Sequence, residues 1–284
     1  MPKSSPKIYG VLGYPAKHSL SPDMHNAAFQ YLKIEAEYRI FEKEPAELDS
    51  FFGGLAENNI CGLNVTIPYK EEVLKYLAWQ SPEVRFTAAS NTIIVKEKGY
   101  LEGWNTDGIG FHRHLVQDLG FEIAGKKAVL LGAGGASKAI IDQLARNKIR
   151  EISIYDIDKQ RAAALAKKTN DAFKVSKATA LDSLSSLDFS DTQLLINATP
   201  IGMKLEDPLL VSREKMHSGL LVYDLIYNPA ETNLLKEAKA AGAKVANGLG
   251  MLLYQGARSF ELWTDKIAPI EIMRNALEKG AKEL

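Results

Sequence analysis

The chain is poor in the features that mark secreted, membrane-spanning and nucleic-acid-binding proteins. Its 284 residues include one cysteine, Cys61, so no disulfide can form within the chain. No apolar stretch approaches the ~20 residues needed to cross a bilayer, and none long enough for a signal peptide follows the charged residues 1–7. Basic and acidic residues number 35 each, which argues against nucleic acid or an anionic membrane as the main partner. We therefore expect a cytoplasmic globular protein.

Histidines are also few, and their spacing does not suggest a metal site. None of the five stands at zinc-ligand spacing from the cysteine or from an acidic partner. We expect no bound metal. The five are His18, His25, His112, His114 and His217.

What the sequence does contain is a repeated alternation of strand patterns and helical patterns. Its length exceeds what one hydrophobic core usually serves, so two domains are expected. Parallel neighbours need a crossover connection, so strands separated by helices predict parallel pairing. The strands predicted in the first third are Ile8–Leu12, Tyr38–Phe41 and Gly62–Thr66, followed by a hairpin of Asn91–Val95 and Tyr100–Glu102. The helices predicted there are Ser21–Tyr31, Glu47–Glu57 and Tyr69–Leu77.

The middle third repeats the alternation in the order typical of a doubly wound dinucleotide-binding domain. Its predicted strands are Lys127–Leu131, Glu151–Tyr155, Phe173–Val175, Leu194–Asn197, Leu220–Leu225 and Lys244–Ala246. From Leu249 onward the pattern is helical, and these helices are expected to pack on the first domain. We predict an α/β protein in which a Rossmann-type doubly wound nucleotide domain, residues 107–247, is inserted in a discontinuous α/β substrate domain, residues 1–106 plus 248–284.

A glycine-rich turn between a buried strand and a helix predicts where a dinucleotide binds. Glycines permit a tight turn and close backbone approach, and the helix N-terminus offers unpaired N–H groups to a pyrophosphate. The turn consists of Gly132, Ala133, Gly134, Gly135 and Ala136, and Ser137 replaces the third glycine of the usual fingerprint. Asp156 closes the next strand, where an acid can accept hydrogen bonds from ribose hydroxyls. Asp158 has two interpretations, a helix N-cap or a second ribose contact.

Short polar segments stand out elsewhere among apolar stretches. They combine hydroxyl, amide, carboxylate and ammonium groups, which is the mixture that a polyhydroxylated acid with one movable proton requires. The segments are His18–Pro22, Asn64–Lys70, Ala89–Thr92 and Asn105–Gly110.

These segments and several further motifs follow one another along the chain. Taken together in this order, they make the sequence resemble the shikimate dehydrogenase family nearly from end to end. The matching motifs are Ser19-Leu-Ser-Pro22, Asn64-Val-Thr-x-Pro-x-Lys70, Asn91-Thr92, Asn105-Thr-Asp-Gly108, Gly132-Ala-Gly-Gly-Ala-Ser137, Asn197-Ala-Thr-Pro-x-Gly-Met203, Asp224-Leu-x-Tyr-Asn-Pro229 and Gly248-Leu-Gly-Met-Leu-x-x-Gln255. The resemblance implies an NAD(P)-dependent enzyme that interconverts shikimate and 3-dehydroshikimate.

The resemblance also implies roles for individual residues. Ser19 and Ser21, assisted by Tyr227, would bind the substrate carboxylate. The ring hydroxyls would be held by Thr66, Asn91, Asp107 and Gln255, and the coenzyme would be bordered by Asn197, Ala198 and Thr199, with Met203 and Met251 near the nicotinamide. Lys70 and Asp107 would form the catalytic pair. The chemistry agrees, because hydride transfer to a carbonyl leaves an alkoxide that a lysine can protonate while a carboxylate orients it.

The residues after the second strand of the nucleotide domain favour NAD as coenzyme. Family members that use NADP usually carry Asn-Arg-Thr or Asn-Arg-Ser here, and the arginine pairs with the 2′-phosphate. This chain has Asp156, Ile157 and Asp158 instead, and a carboxylate accepts hydrogen bonds from ribose hydroxyls but repels a phosphate. Lys159 and Arg161 are expected to be solvated. NADP, the coenzyme usual in the family, is the alternative.

Two other functions remain open from sequence. An NAD-dependent quinate/shikimate dehydrogenase is one, although relatives that favour quinate often carry threonine at one of the positions of Ser19 and Ser21. The other is a non-catalytic protein that senses nucleotide, which the presence of both Lys70 and Asp107 disfavours. We expect a small-molecule substrate, no nucleic-acid or membrane partner, and a monomer or homodimer.

Overall fold

The computed structural model describes residues 6–17, 19–174, 176–186 and 189–283, and it divides the chain into two compact units. Unit 1 comprises the residues up to Gly110 together with those from Leu253 onward, and unit 2 comprises Phe111–Leu252. The chain therefore passes between the units once near residue 110 and once near residue 252. The assignment of substrate and dinucleotide to these parts is a prediction that the division by itself does not test.

Unit 1 is built on a six-stranded sheet with mixed pairing. Numbered in chain order, its strands are β1 (Lys7–Gly13), β2 (Ala36–Glu42), β3 (Ile60–Val65), β4 (Trp79–Gln80), β5 (Thr92–Val95) and β6 (Leu101–Trp104), arranged as β2-β1-β3-β5-β6-β4. Its helices are α1 (Ser21–Tyr31), α2 (Leu48–Gly53), α3 (Pro82–Thr87), α9 (Ile270–Ala281) and parts of α4 (Asp107–Arg113) and α8 (Leu249–Thr264). As predicted, the C-terminal helices pack in this unit, where α9 lies against α1.

The core of unit 1 brings α8 against the sheet through aromatic side chains. The Trp263 indole N–H donates to the Ile93 carbonyl at 3.0 Å. A Cβ atom at Gly62 would stand 2.4 Å from Trp263 Nε1, so glycine is required for this approach. His25 is fully buried and stacks on Tyr38 with ring centroids 4.4 Å apart. Burial lowers the pKa of His25 to about 3, so the imidazole is neutral.

Unit 2 is a parallel six-stranded sheet with the doubly wound order. Its strands are β7 (Lys127–Leu131), β8 (Glu151–Tyr155), β9 (Lys177–Ala180), β10 (Leu194–Asn197), β11 (Leu221–Asp224) and β12 (Lys244–Ala246), arranged as β12-β11-β10-β7-β8-β9. Its helices include α5 (Gly135–Arg146), α6 (Lys159–Ala172) and α7 (Asn233–Ala240). The order reverses between β7 and β10, and ligands bind at such a switch point in open α/β sheets. The predicted Rossmann-type architecture is confirmed.

Several local predictions were wrong. Strand β5 runs antiparallel to β3, although a helix was predicted between them; the antiparallel pairing of β5 with β6 confirms the predicted hairpin. The strand predicted at Phe173–Val175 lies later, as β9, because α6 continues to Ala172 with buried Thr169 facing inward; Val175 itself lies outside the described residues.

Two predicted helices are also shorter than expected. The helix expected over Glu47–Glu57 is α2 and ends at Gly53, where two successive glycines disfavour helix. Only a 3-10 turn, Glu72–Tyr76, replaces the helix expected over Tyr69–Leu77. There the backbone extends at Leu77, and the Ala78 N–H donates to Leu101 in the sheet.

Candidate active site

Lys70 and Asp107 form a close ion pair in unit 1. Lys70 Nζ lies 2.6 Å from Asp107 Oδ2, and the side chains are 25% and 8% exposed. Lys70 follows β3, and Asp107 is the first residue of α4 just after β6. The other carboxylate oxygen, Oδ1, accepts from Asn91 Nδ2 at 2.7 Å. Both carboxylate oxygens of Asp107 thus accept hydrogen bonds, one from Lys70 and one from Asn91.

The orientation of the Asn91 amide is fixed by the backbone. Asn91 Oδ1 accepts from the Thr106 N–H at 2.8 Å, and a backbone N–H can only donate. Asn91 Nδ2 therefore faces the other way, toward Asp107 and toward Gln255 Oε1 at 3.3 Å. Asn91 and Gln255 are buried. Sequence motifs 164 residues apart are thus brought together at the ion pair.

A buried network of hydroxyl and amide groups lies beside Asn91, and its role was not predicted. Asn64 Nδ2 donates to Ser259 Oγ at 2.9 Å and to Thr92 Oγ1 at 3.2 Å. Thr92 in turn donates to Asn91 Oδ1 at 2.9 Å. Ser259 lies outside the motifs noted in the sequence. The signal that could have identified it is its position four residues after Gln255, on the same face of α8. The network is connected to the ion pair through Asn91.

The two serines predicted to bind a carboxylate lie at the start of α1. Ser19 is half-buried, and its Oγ accepts from the N–H of buried Ser21 at 3.3 Å. The Tyr38 phenol lies close to Ser21 and donates to Asn64 Oδ1 at 2.8 Å. Burial raises the pKa of Tyr38, so the phenol keeps its proton. Tyr38 is thereby connected to the network beside the ion pair.

Of the remaining predicted substrate residues, one lies in each unit. Thr66 is half-buried after β3, where its N–H donates to Leu12 and its methyl group faces Gly13. Tyr227 belongs to unit 2 and is half-buried after β11. Burial raises the pKa of Tyr227, so its hydroxyl remains a donor. His18, the first residue of the serine segment, lies outside the described residues.

The glycine turn of unit 2 has the geometry that a pyrophosphate requires. Gly132 has φ +97°, and a Cβ atom there would stand 3.0 Å from the Ala198 carbonyl oxygen. Gly134 precedes α5 with no side-chain cap, which leaves the first N–H groups of the helix available to an anion. Ser137 is fully buried in place of the third glycine, and its hydroxyl has no partner within the described ranges. A serine is small enough to keep the helix close to the strand.

Asp156 is tied to the glycine turn. Its Oδ2 accepts from the Ala133 N–H at 2.6 Å, and its Oδ1 accepts from the Asp158 N–H at 2.8 Å. Asp158 accepts from the N–H groups of Gln160 and Arg161, so of its two interpretations the structure shows the N-cap of α6. Asp156 thus remains the carboxylate placed beside the turn.

Asn197 shapes the loop that follows β10. Its Oδ1 accepts from the N–H and the hydroxyl of Thr199, at 3.1 and 2.7 Å. Its Nδ2 donates to the Ile201 carbonyl at 3.0 Å and to Asp224 Oδ1 at 3.0 Å. Farther along the loop Met203 is 58% exposed, whereas Met251 is buried in α8. The Met203 side chain is therefore not part of the hydrophobic core.

Replacing Gly132 tests the turn itself. We expect Gly132→Ala to lower the free energy of unfolding by roughly 1–3 kcal/mol, because the methyl group meets a backbone carbonyl at a φ that alanine disfavours. Gly135→Ala is the matched control, since its Cβ would meet nothing within 4 Å. Urea unfolding of both variants is the measurement. Equal stability of the two variants would contradict the close approach.

Among the residues with described placement, no cluster of at least three His, Cys, Asp or Glu side chains is arranged to hold a metal ion. None of the helices in the described ranges is both long and apolar enough to cross a membrane.

Comparison with known proteins agrees with this geometry over almost the whole chain. Family models described as the shikimate dehydrogenase substrate binding domain, shikimate / quinate 5-dehydrogenase, and the shikimate 5'-dehydrogenase C-terminal domain match residues 11–93, 114–201 and 248–278. A shikimate dehydrogenase (NADP(+)) of Methanopyrus kandleri is 43% identical over 274 residues, which cover 95% of this chain and 94% of that protein. The chain belongs to the shikimate dehydrogenase family.

Solved structures extend the likeness to other members of this family. Shikimate 5-dehydrogenase of Listeria monocytogenes, in complex with shikimate and NAD, has a TM-score of 0.88 at 35% identity, with 96% of each chain covered. Quinate dehydrogenase of Corynebacterium glutamicum, in complex with NAD, has a TM-score of 0.87 at 26% identity, covering 97% of this chain and 100% of that one. The family resemblance predicted from the motifs is confirmed.

Most of the predicted site residues lie inside the segments that the shikimate dehydrogenase family models match. The substrate model includes both serines, Thr66, Lys70 and Asn91, and the C-terminal model includes Met251 and Gln255. The shikimate / quinate 5-dehydrogenase model includes the glycine turn, Asp156 and Asn197–Thr199. Asp107, Met203 and Tyr227 fall outside the matched segments.

Proposed function

We propose that this protein is a shikimate dehydrogenase, which transfers a hydride reversibly between NAD(P)H and 3-dehydroshikimate to give shikimate. The observation that carries the proposal is the Lys70–Asp107 pair at 2.6 Å, supported by Asn91 and Gln255, in a chain that belongs to the family. Residues 1–106 plus 248–284 would bind the substrate, and residues 107–247 would bind the dinucleotide. A cytoplasmic location and a monomeric or homodimeric state stay predictions.

The residues of unit 1, assisted by Tyr227 of unit 2, handle the substrate and its proton. Ser19 and Ser21, with Tyr227, bind the carboxylate, and Thr66, Asn91, Asp107 and Gln255 bind the ring hydroxyls. The nicotinamide coenzyme supplies the hydride when it is bound. During reduction Lys70 delivers a proton to the oxygen of the carbonyl that becomes the alcohol, and during oxidation it takes that proton back. Asp107 accepts from Lys70 at 2.6 Å and holds it in position.

The residues of unit 2 fit a dinucleotide. The N–H groups at the start of α5 meet the pyrophosphate at Gly132–Ala136, and Asp156 meets the adenosine ribose. Asn197, Ala198 and Thr199 border the coenzyme, with Met203 and Met251 near the nicotinamide. The fit rests on the uncapped helix and the near approach of Gly132 to Ala198.

NAD is proposed as the preferred coenzyme, although curated relatives are named for NADP(+). The carboxylate of Asp156 lies beside the turn, and Ile157, which is 93% exposed, stands where NADP-dependent members usually carry arginine. Lys159 pairs with Asp182 at 3.7 Å. Arg161 is exposed, and its guanidinium lies 3.8 Å from the position of a Cβ at Gly134. Of Lys159 and Arg161, Arg161 is therefore the one that lies beside the glycine turn.

One assay separates the candidate functions. Purified protein is given shikimate or quinate with NAD or NADP, and coenzyme reduction is followed. We expect turnover, with shikimate having a higher kcat/KM than quinate and NAD a higher kcat/KM than NADP. Absence of turnover with all four pairs would favour the nucleotide-sensing alternative. A higher kcat/KM for quinate would favour a quinate dehydrogenase, which the likeness to the Corynebacterium glutamicum structure makes the specific rival.

Removing the Ser19 hydroxyl tests carboxylate binding. A hydrogen bond to a charged group contributes roughly 1.5–3 kcal/mol, so we expect Ser19→Ala to raise the KM for shikimate by about 10- to 100-fold. The KM for the coenzyme is expected to change little. Ser50→Ala is a control, since that serine is exposed and bonds only its local backbone in α2. An unchanged KM for shikimate would contradict the role of Ser19.

A further inference from the structure

A second buried carboxylate lies in unit 2, at the end of β11. Asp224 is fully buried and accepts hydrogen bonds from Asn197 Nδ2 at 3.0 Å, from the Ile226 N–H at 3.1 Å and from the Thr232 hydroxyl at 2.7 Å. The proposed mechanism gives it no role.

The charge of this carboxylate has no ionic partner in the described part of the chain. Neither lysine, arginine nor histidine contributes to its surroundings there, and burial raises the pKa of Asp224 while its three neighbours lower it. Part of the cost of burying the charge is compensated by these hydrogen bonds and by the positive end of the α7 dipole. Thr232 is the N-cap of α7. A buried charge without a cation is costly. Carboxylates in such surroundings are enriched at functional sites.

The position of Asp224 in the sheet relates it to one end of the coenzyme. The glycine turn follows β7, and Asp156 follows β8 on one side of it. Strand β10, with Asn197, and then β11, with Asp224, follow on the other side. If the pyrophosphate lies at the turn and the adenosine toward β8, the nicotinamide lies toward β10 and β11. This step rests on the proposed function.

We propose that Asp224 is a specificity-determining residue for the oxidation state of the coenzyme. The oxidised nicotinamide ring carries a positive charge and the reduced ring is neutral, so a buried negative charge nearby favours the oxidised form. Parallel strands are about 4.8 Å apart, so a ring bound above the end of β10 would lie about 8–10 Å from the end of β11. At that distance, with an effective dielectric constant of 20–40, a unit charge changes a binding constant by about 4- to 30-fold.

Asp224→Asn tests the charge without changing the shape of the side chain. The retained oxygen still accepts from Asn197 and Ile226, and the new amide group faces the Thr232 oxygen. Dissociation constants for NAD and NADH are measured by titration calorimetry and by nicotinamide fluorescence. We expect the ratio Kd(NAD)/Kd(NADH) to rise by about 4- to 30-fold relative to the wild-type protein.

Controls separate this effect from loss of structure. Thr232→Val removes one hydrogen bond to the same carboxylate but no charge, so it is expected to leave the ratio unchanged even where both constants rise. Asp224→Ser removes the charge with a smaller polar group and serves if the asparagine variant does not fold. An unchanged ratio in a folded charge-free variant, with wild-type turnover intact, contradicts the role of Asp224 alone. A wild-type protein that binds neither form contradicts the proposed function and this role with it.

Discussion

Lys70→Met is expected to lower kcat for shikimate oxidation by about 10²–10⁴-fold, the usual cost of losing a general acid–base group. Methionine keeps much of the bulk of the lysine stem but cannot carry the proton. It also leaves Asp107 Oδ2 without the 2.6 Å partner seen in the structure. The expected loss falls on kcat rather than on coenzyme binding, because Lys70 belongs to unit 1 and the glycine turn to unit 2.

Lys75→Met is the matched control for this prediction. Lys75 lies close in sequence and pairs with Glu72 at 2.7 Å, but it is 52% exposed, so its loss is expected to leave kcat near the wild-type value. Steady-state kinetics for both variants are compared with Kd values for the coenzyme. Retention of more than about half of the turnover by Lys70→Met would exclude the role of Lys70 as proton donor.

Asp156→Asn is expected to shift coenzyme preference toward NADP by at least about tenfold in the ratio of kcat/KM values. At 4 Å, with an effective dielectric constant of 20, a carboxylate repels a unit charge of a phosphate by ~4 kcal/mol, and screening by solvent reduces this. Asparagine removes that repulsion. It also loses one acceptor for the backbone N–H groups of Ala133 and Asp158, which affects NAD and NADP alike.

Asp182→Asn is the control for this shift. It removes a carboxylate that is 92% exposed and pairs with Lys159 at 3.7 Å, so the net charge changes equally while the turn keeps its acid. We expect its NADP/NAD ratio to stay near that of the wild type. If Asp156→Asn leaves the ratio unchanged as well, or if the wild-type protein already prefers NADP, Asp156 does not meet the ribose.

Some features of this protein were determined by short stretches of sequence. The parallel sheet of unit 2 followed from apolar runs alternating with helical patterns, and β7, β8, β10 and β12 have the predicted bounds. The glycine turn was predictable because a strand, glycines and a helix start follow directly along the chain. Family membership was predictable because each motif carries its residues within a few positions. In each case the residues that carry the pattern lie close together in the sequence.

The tertiary structure alone decided the rest. The antiparallel pairing of β5 with β3 was not predicted, because the hydrophobic pattern of a strand does not encode the direction of a neighbour that is distant in sequence. Asp158, which caps α6, and Asp156, which accepts from the glycine turn, are two residues apart, and only their hydrogen-bond geometry distinguishes them. Ser259 meets Asn64 across 195 residues, and among the described residues the packing around Asp224 brings no cation to it. Burial and long-range contacts create these environments, and no local pattern specifies them.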